Sequence, residues 1–232
     1  GERVTLFPAS QDHKRLEEGD LGPNTGGMGA YSPVSVATSA LLERITSDVL
    51  QPTLAEMRRR GTPYRGLLYA GLMIDETGAP SVVEFNCRFG DPETQVVLPL
   101  VRGGLTDCLE NVALGGRPES LDIDHGSYAV TTVLSAQGYP ARPEKGAAIT
   151  IPDDLPDGVT VFHAGTTMDE AGVLRVNGGR VLNVTAVADS FARAQRLSRE
   201  AAERINFEGR VFRRDIGWRE TGRQQAAGSR QL

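Results

Sequence analysis

The chain has 232 residues, 39% of them hydrophobic, enough to bury one large core or two small ones and too many for a disordered, collagenous or coiled-coil protein. Thirty acidic residues against 25 basic ones give a formal charge of -5 and a pI near 5.3, which excludes a global basic field for nucleic acid or an anionic membrane. No apolar run approaches the ~20 residues that span a bilayer, and Gly1-Glu2-Arg3-Val4 lacks the basic segment and apolar stretch of a secretory signal. A soluble, cytoplasmic protein is expected.

In chain order, Arg3-Val-Thr-Leu-Phe7 alternates like a strand, and Glu17 to Pro33, rich in Gly, Pro, Asp, Asn and Ser, reads as a long loop. Leu41, Leu42, Ile45, Val49, Leu54 and Met57 fall at helical spacings between a Thr38 or Ser39 cap and Gly61, with Pro52 expected to kink or divide the helix. Residues 67–74 and 81–89, joined by the turn Asp75–Pro80, predict a β-hairpin. Thr106 can cap a short helix running to about Leu114.

Beyond residue 120 the texture changes to short β segments near 127–135, 147–151, 159–164 and 181–187. A helix follows from an Asp189 or Ser190 cap to about Ile205, with Phe191, Ala194, Leu197, Ala201 and Ile205 inward. This shift places a boundary at about 118–126, dividing the chain into domains 1–120 and 121–220; the polar stretch 221–232 reads as a disordered tail. Cys87 and Cys108 lack Cys-x-x-Cys spacing and are expected as buried, reduced thiols.

Three segments carry candidate chemistry. In Val83 to Glu93, strand alternation would put Glu84, Asn86 and Arg88 on one side and Phe85, Cys87 and Phe89 on a core side. A carboxylate and an amide oxygen two residues apart are hard donors suited to Mg²⁺ that is also held by nucleotide phosphates, and the Arg fork suits a phosphoryl or carboxylate oxygen. Taken alone, a solvated strand face explains the same spacing.

Gly22-Pro-Asn24-Thr25-Gly26-Gly27-Met-Gly29 can bring backbone N–H groups close to a phosphate. It lacks the Lys-Ser/Thr ending of a Walker A loop, and Ser32 stands where a dinucleotide fingerprint needs Gly, so alone it reads as a mobile turn. Gln11-Asp12-His13-Lys14-Arg15 gathers a carboxylate, an imidazole and two cations, Lys14 being one of only two lysines; a solvated charge run is the ordinary explanation. His163 reads as a structural histidine, His125 as a surface one, and the Arg-rich stretch Arg193–Arg219 as an exposed helix face plus a final strand.

Taken together, Gln11–Arg15, Gly22–Pro33, Tyr69–Ile74, Glu84–Gln95, Phe162–Thr166, Asn177–Leu182 and Arg214–Arg219 resemble the phosphoribosylamine–glycine ligases, the glycinamide ribonucleotide synthetases within the ATP-grasp enzymes. The resemblance covers nearly the whole chain except the tail. It implies an α+β fold, the C-terminal part of an ATP-grasp domain (antiparallel sheet with helices) followed by a small, mostly β C-terminal domain with one helix.

It also implies ATP and Mg²⁺ or Mn²⁺, glycine and 5-phosphoribosylamine as substrates, and glycyl phosphate as intermediate. Glu84 and Asn86 match the family's metal-binding positions and Arg88 its adjacent catalytic Arg. His13 and Lys14 would contact phosphate or the acyl intermediate; Asp12, Asp91 and Glu93 would bind substrate; and Gly22, Asn24, Thr25, Gly26, Gly27 and Gly29 would close over the site.

Two departures stand out. Leu72-Met73-Ile74 occupies the strand where ATP-grasp enzymes commonly place a second acidic metal ligand, and the family's N-terminal domain and ATP-gripping lysines would precede Gly1. The chain is therefore expected to be a C-terminal half, lacking an N-terminal half as partner and inactive alone. A non-catalytic docking or assembly module is the alternative, and a carboxylase subunit is disfavoured by the Gly22–Pro33 segment.

Overall fold

The structure, a computed structural model, describes residues 3–228. Contacts divide the described residues into two compact units that interleave along the sequence: those up to residue 9 with 35–90 and 101–124 form one, and 10–34, 91–100 and those from 125 onward the other. The chain passes between the two units at 9/10, 34/35, 90/91, 100/101 and 124/125.

The larger unit is built on a five-stranded antiparallel sheet in the order Gln11–Asp12, Gly29–Ser32, Tyr128–Ser135, Arg180–Ala188, Val159–His163. Its central strands Tyr128–Ser135 and Arg180–Ala188 are rich in β-branched residues and buried on both faces. The helix Phe191–Arg204 lays Phe191, Ala194, Ser198 and Ala201 on one face, over a core that includes Leu134, Leu182, Val184 and Ile205. The Ser198 hydroxyl bonds both Thr132 Oγ1 (2.8 Å) and the Val184 carbonyl (2.8 Å), so the polar side chain inside this interface is satisfied. A hairpin of Thr166–Met168 and Leu174–Val176 was not foreseen, whereas residues 147–151 make only isolated bridges through Ala148 and Thr150.

Residues 17–33 are more regular than a loop: Arg15–Glu17 pairs with Leu21–Asn24, and Gly29–Ser32 enters the sheet between Gln11–Asp12 and Tyr128–Ser135. The polar stretch from residue 221 continues a helix, Trp218–Gly228. It lacks the apolar stripe that signals an amphipathic helix, but buried Glu220 and the bonds from Arg223 to Gln11 Oε1 and Tyr31 Oη anchor it. The rest of the expected tail, 229–232, lies outside the described residues.

In the smaller unit the first helix divides as expected. Ser39–Ile45, capped by Thr38 Oγ1 on the Leu41 amide, gives way to a π turn at Thr46–Leu50, and Gln51–Arg59 restarts with Pro52 in its first turn. Proline has no N–H to continue the ladder, which places the interruption just before it. The hairpin pairs Tyr69–Ile74 with Pro80–Asn86, and Asp75 Oδ1 closes its turn by accepting the Thr77 and Ala79 amides. The short helix is Leu105–Ala113, capped by Gly104 at φ 77° and not by Thr106. Arg3–Phe7 forms no strand; it is held by Thr5 Oγ1 on the Glu119 carbonyl and by Phe7 edge-on to Phe89.

Candidate functional site

Strand alternation places Glu84 and Asn86 two residues apart on Pro80–Asn86, opposite Gly71 and Tyr69. Gly71 leaves room for the acid: a Cβ there would meet Glu84 Cγ at 3.0 Å. Glu84 is exposed and Asn86 half-buried. Arg88, past the strand end, is exposed and donates from Nη1 to the Phe89 carbonyl.

The expected core side is absent here: Val83 is 67% exposed, and Phe85 and Cys87 are exposed too. A two-stranded ribbon within this unit has no layer to bury its second face, so alternation marks two faces without making one of them core. Cys108 is buried as expected.

Among the described residues no cluster of three or more His, Cys, Asp and Glu side chains could hold a metal by itself. Glu84 with Asn86 offers a carboxylate and an amide oxygen, a sparse, hard donor set. It fits a Mg²⁺-type ion that takes its remaining oxygens from phosphates and water, and not a dedicated protein cage.

The other candidate residues belong to the larger unit. The Lys14 ammonium lies 2.6 Å from Asp12 Oδ2 and 3.9 Å from Glu93 Oε1, with Lys14 half-exposed and Glu93 buried. The main chain of this segment holds the glycine loop. His13 N donates to the Gly29 carbonyl, Met28 N to the His13 carbonyl, and both the amide and hydroxyl of Thr25 to the Lys14 carbonyl. Asn24 pairs opposite Arg15, whose Nη1 donates to the Gly22 carbonyl.

The loop needs its glycines. Gly27 sits at φ 119°, where a Cβ would meet Pro92 Cδ at 2.5 Å, and a Cβ on Gly29 would meet the Thr131 carbonyl at 2.6 Å. A mobile turn is thus replaced by a segment fixed in strands and by hydrogen bonds. Arg180 Nη1 reaches the Gly26 carbonyl (2.8 Å), the Asp91 carbonyl (2.7 Å) and Asp91 Oδ1 (3.1 Å). Tyr139 Oη accepts the Gly26 amide at 2.8 Å.

His13 is placed differently from the expectation of a ligand contact. Its ring is 1% exposed, Nε2 accepts the Gly217 amide at 2.8 Å, and Nδ1 faces Asp20 Oδ1 at 3.7 Å. Burial, reinforced by the Arg213 charge, pushes its pKa down to about 4, so the ring is neutral near pH 7, with its proton on Nδ1.

Beside it, Arg213, also 1% exposed, makes a two-pronged bond to Asp215 (2.7 Å each) and donates to Asp20 Oδ1 (2.9 Å) and the Arg15 carbonyl (3.1 Å). Burial raises the Asp20 carboxyl, but the Arg213 bond and the charges of Arg219 and Arg213 outweigh it and hold Asp20 below the ordinary carboxylate range. Asp215 is also held down on balance, burial again being outweighed by the Arg213 bond and the Gly19 amide.

Sequence reasoning missed Arg213, Asp20, Asp215, Arg180 and Tyr139 as members of these clusters. Their segments were visible, but an arginine in an Arg-rich chain reads as solvated. His163 is hydrogen-bonded to Thr166 and His125 is exposed, both as expected.

The fold is that of ATP-grasp proteins. The chain superposes on the biotin carboxylase subunit of pyruvate carboxylase with a TM-score of 0.57 at 15% identity, covering 87% of this chain and 42% of that one. It superposes on the crystal structure of phosphoribosylamine–glycine ligase from Thermotoga maritima with a TM-score of 0.83 at 38% identity, covering 93% and 53%. Residues 1–94 match the phosphoribosylglycinamide synthetase ATP-grasp (A) domain and residues 129–219 its C domain; the chain belongs to the phosphoribosylglycinamide synthetase family.

Among curated relatives, the phosphoribosylamine–glycine ligase of Ralstonia nicotianae is 48% identical over 94% of this chain and 52% of its own length. The trifunctional purine biosynthetic protein adenosine-3 of Gallus gallus is 47% identical over 94% of this chain and 22% of its own length. The chain thus spans about half the length of the ligase relatives it matches. No helix among the described residues is long and apolar enough to cross a membrane.

Proposed function

We propose that this chain carries part of an ATP-dependent ligase that joins glycine to 5-phosphoribosylamine, giving glycinamide ribonucleotide, ADP and phosphate by way of glycyl phosphate, in purine biosynthesis. The observation that carries this reading is the Glu84–Asn86 pair of oxygen donors on the exposed hairpin strand, in a chain whose relatives bear the ligase name.

Glu84 and Asn86 would hold Mg²⁺ or Mn²⁺, which supplies charge neutralisation while a phosphoryl group moves from ATP to the glycine carboxylate. Arg88 offers its planar fork to the phosphoryl or carboxylate oxygens that gain charge. Lys14, oriented by Asp12, presents a cation to the phosphate or the acyl intermediate. Asp91 and Glu93 present carboxylates suited to the glycine ammonium or the sugar hydroxyls.

In the second step the phosphoribosylamine nitrogen attacks the acyl carbon. The carbon–oxygen bond to phosphate breaks, phosphate leaves with that electron pair, and the nitrogen loses a proton. The Gly22–Gly29 segment excludes water from the acyl phosphate, and His13 acts by holding that segment from beneath.

The upstream half that full-length relatives possess would supply the remaining grip on ATP, so the chain alone should turn over little or nothing. A cytoplasmic location accords with this substrate set. The exposed apolar side chains of the hairpin, Met73, Val82, Val83 and Phe85, favour a second reading, a docking module without activity. ADP release with Mg-ATP, glycine and freshly generated phosphoribosylamine, measured on this chain and on a version extended upstream, separates the two. Activity in the extended protein that is lost on Glu84→Ala or Arg88→Ala supports the ligase; silence in both proteins supports the docking module.

A further inference from the structure

Gly26 is gripped at both ends of its own peptide groups by side chains from distant parts of the same unit. Its amide donates to Tyr139 Oη, 113 residues away, and its carbonyl accepts from Arg180 Nη1, 154 residues away. The same Arg180 nitrogen holds the Asp91 carbonyl and Asp91 Oδ1, and the adjacent Gly27 packs so closely on Pro92 that a Cβ would overlap its ring. Tyr139 is itself fixed, because its ring lies against Gly179, where a Cβ would come within 2.3 Å of Cδ2. Arg180 thus joins the glycine loop to the Asp91–Pro92 turn, and Tyr139 fixes the same loop residue from the Gly179 side.

From this we infer that Arg180 and Tyr139 are positioning residues, which set the Gly26–Gly27 backbone and the Asp91 carboxylate as one rigid unit for holding glycine. The inference rests on the ligase reading for its substrate but not for its geometry. All three Arg180 contacts converge on one nitrogen, so an ammonium can take over part of the role, whereas a neutral or apolar side chain cannot. Tyr139→Phe keeps the ring against Gly179 and removes only the acceptor.

The test uses the protein extended to the length of its relatives, as wild type, Tyr139→Phe, Arg180→Ala and Arg180→Lys, with thermal melts to verify folding. Two quantities are read: the KM for glycine against kcat, and the hydrogen-exchange rate of the Gly26 amide. Tyr139→Phe should raise the KM for glycine about 2- to 10-fold with kcat little changed, the loss expected for one hydrogen bond. Arg180→Ala should raise it further, Arg180→Lys should recover part of the loss, and the Gly26 amide should exchange faster in Tyr139→Phe.

Unchanged Gly26 exchange in folded Tyr139→Phe overturns the brace. Faster exchange with an unchanged KM overturns its role in holding glycine. A wild-type extended protein without glycine-dependent ADP release fails the ligase reading and the glycine role with it, while the exchange rates still decide whether the brace exists.

Discussion

The Gly217 amide donates to Nε2 of His13, 204 residues earlier in the chain, at 2.8 Å inside the larger unit. This bond requires an imidazole that keeps Nε2 unprotonated, and its pH dependence follows. His13 has a folded pKa of about 4 against an ordinary 6.5. Above 6.5 the ring is neutral both folded and unfolded, and stability is unaffected. Between 6.5 and 4 the unfolded chain takes up a proton that the folded chain refuses, so stability falls as pH falls, by about 3 kcal/mol in all. Below 4 this loss stops growing. Denaturant melts at pH 7, 5.5 and 4 should show the decline, and His13→Gln, which keeps an acceptor without a titrating group, should flatten it across that window.

Arg213 neutralises two carboxylates in a buried place, so its removal should be costly. Arg213→Met removes the cation that bridges Asp20 and Asp215, leaving Asp20 only Arg219 and Asp215 without its two-pronged partner, and should destabilise by about 3–5 kcal/mol. Adding Asp20→Asn and Asp215→Asn to that variant should restore a large part of the loss, since it removes the uncompensated charge. Chemical denaturation of the three proteins measures this; a single variant as stable as wild type refutes the account of the cluster.

Glu84 is exposed and should matter to chemistry far more than to folding. In the extended protein, Glu84→Gln should leave the melting temperature within the scatter of surface substitutions. It should lower activity at a fixed Mg²⁺ concentration by at least about 10- to 100-fold, the range known for groups that merely support a metal ligand. A Mg²⁺ titration of the rate should show the apparent requirement moving to higher concentration.

Gly27→Ala combines a left-handed backbone angle with overlap on Pro92 and should cost about 1–3 kcal/mol. Gly172→Ala is the control: its backbone angle is also positive, at 78°, but the space around it is open, so it should cost less. Comparative thermal melts test the difference.

Local pattern carried a good part of the fold. The 3.6-residue spacing of Phe191, Ala194 and Ala201 marks the helix that covers the sheet, and the turn at Asp75 marks the hairpin that presents Glu84 and Asn86. What remained hidden depends on partners far away in sequence. Burial of Arg213 is decided by Asp20, 193 residues distant, and the order of the glycine loop by Tyr139 and Arg180. Exposure of Phe85 was hidden for a different reason, since alternation cannot say whether a second layer exists to cover a face. The terminal helix had good helix formers in Arg, Gln and Ala, but its anchors, Glu220 and Arg223, are polar.

The Arg213–Asp20 and Gly217–His13 contacts also order events in time. During synthesis the segment around residues 11–32 leaves the ribosome long before residues 213–217 exist, so its imidazole and carboxylate wait for partners that lie 204 and 193 residues further on. Long-range closure of this kind slows folding. It also makes the last turns before the terminal helix a latch: a chain released before Arg213 would lose the support of the glycine loop at the opposite end of the sequence.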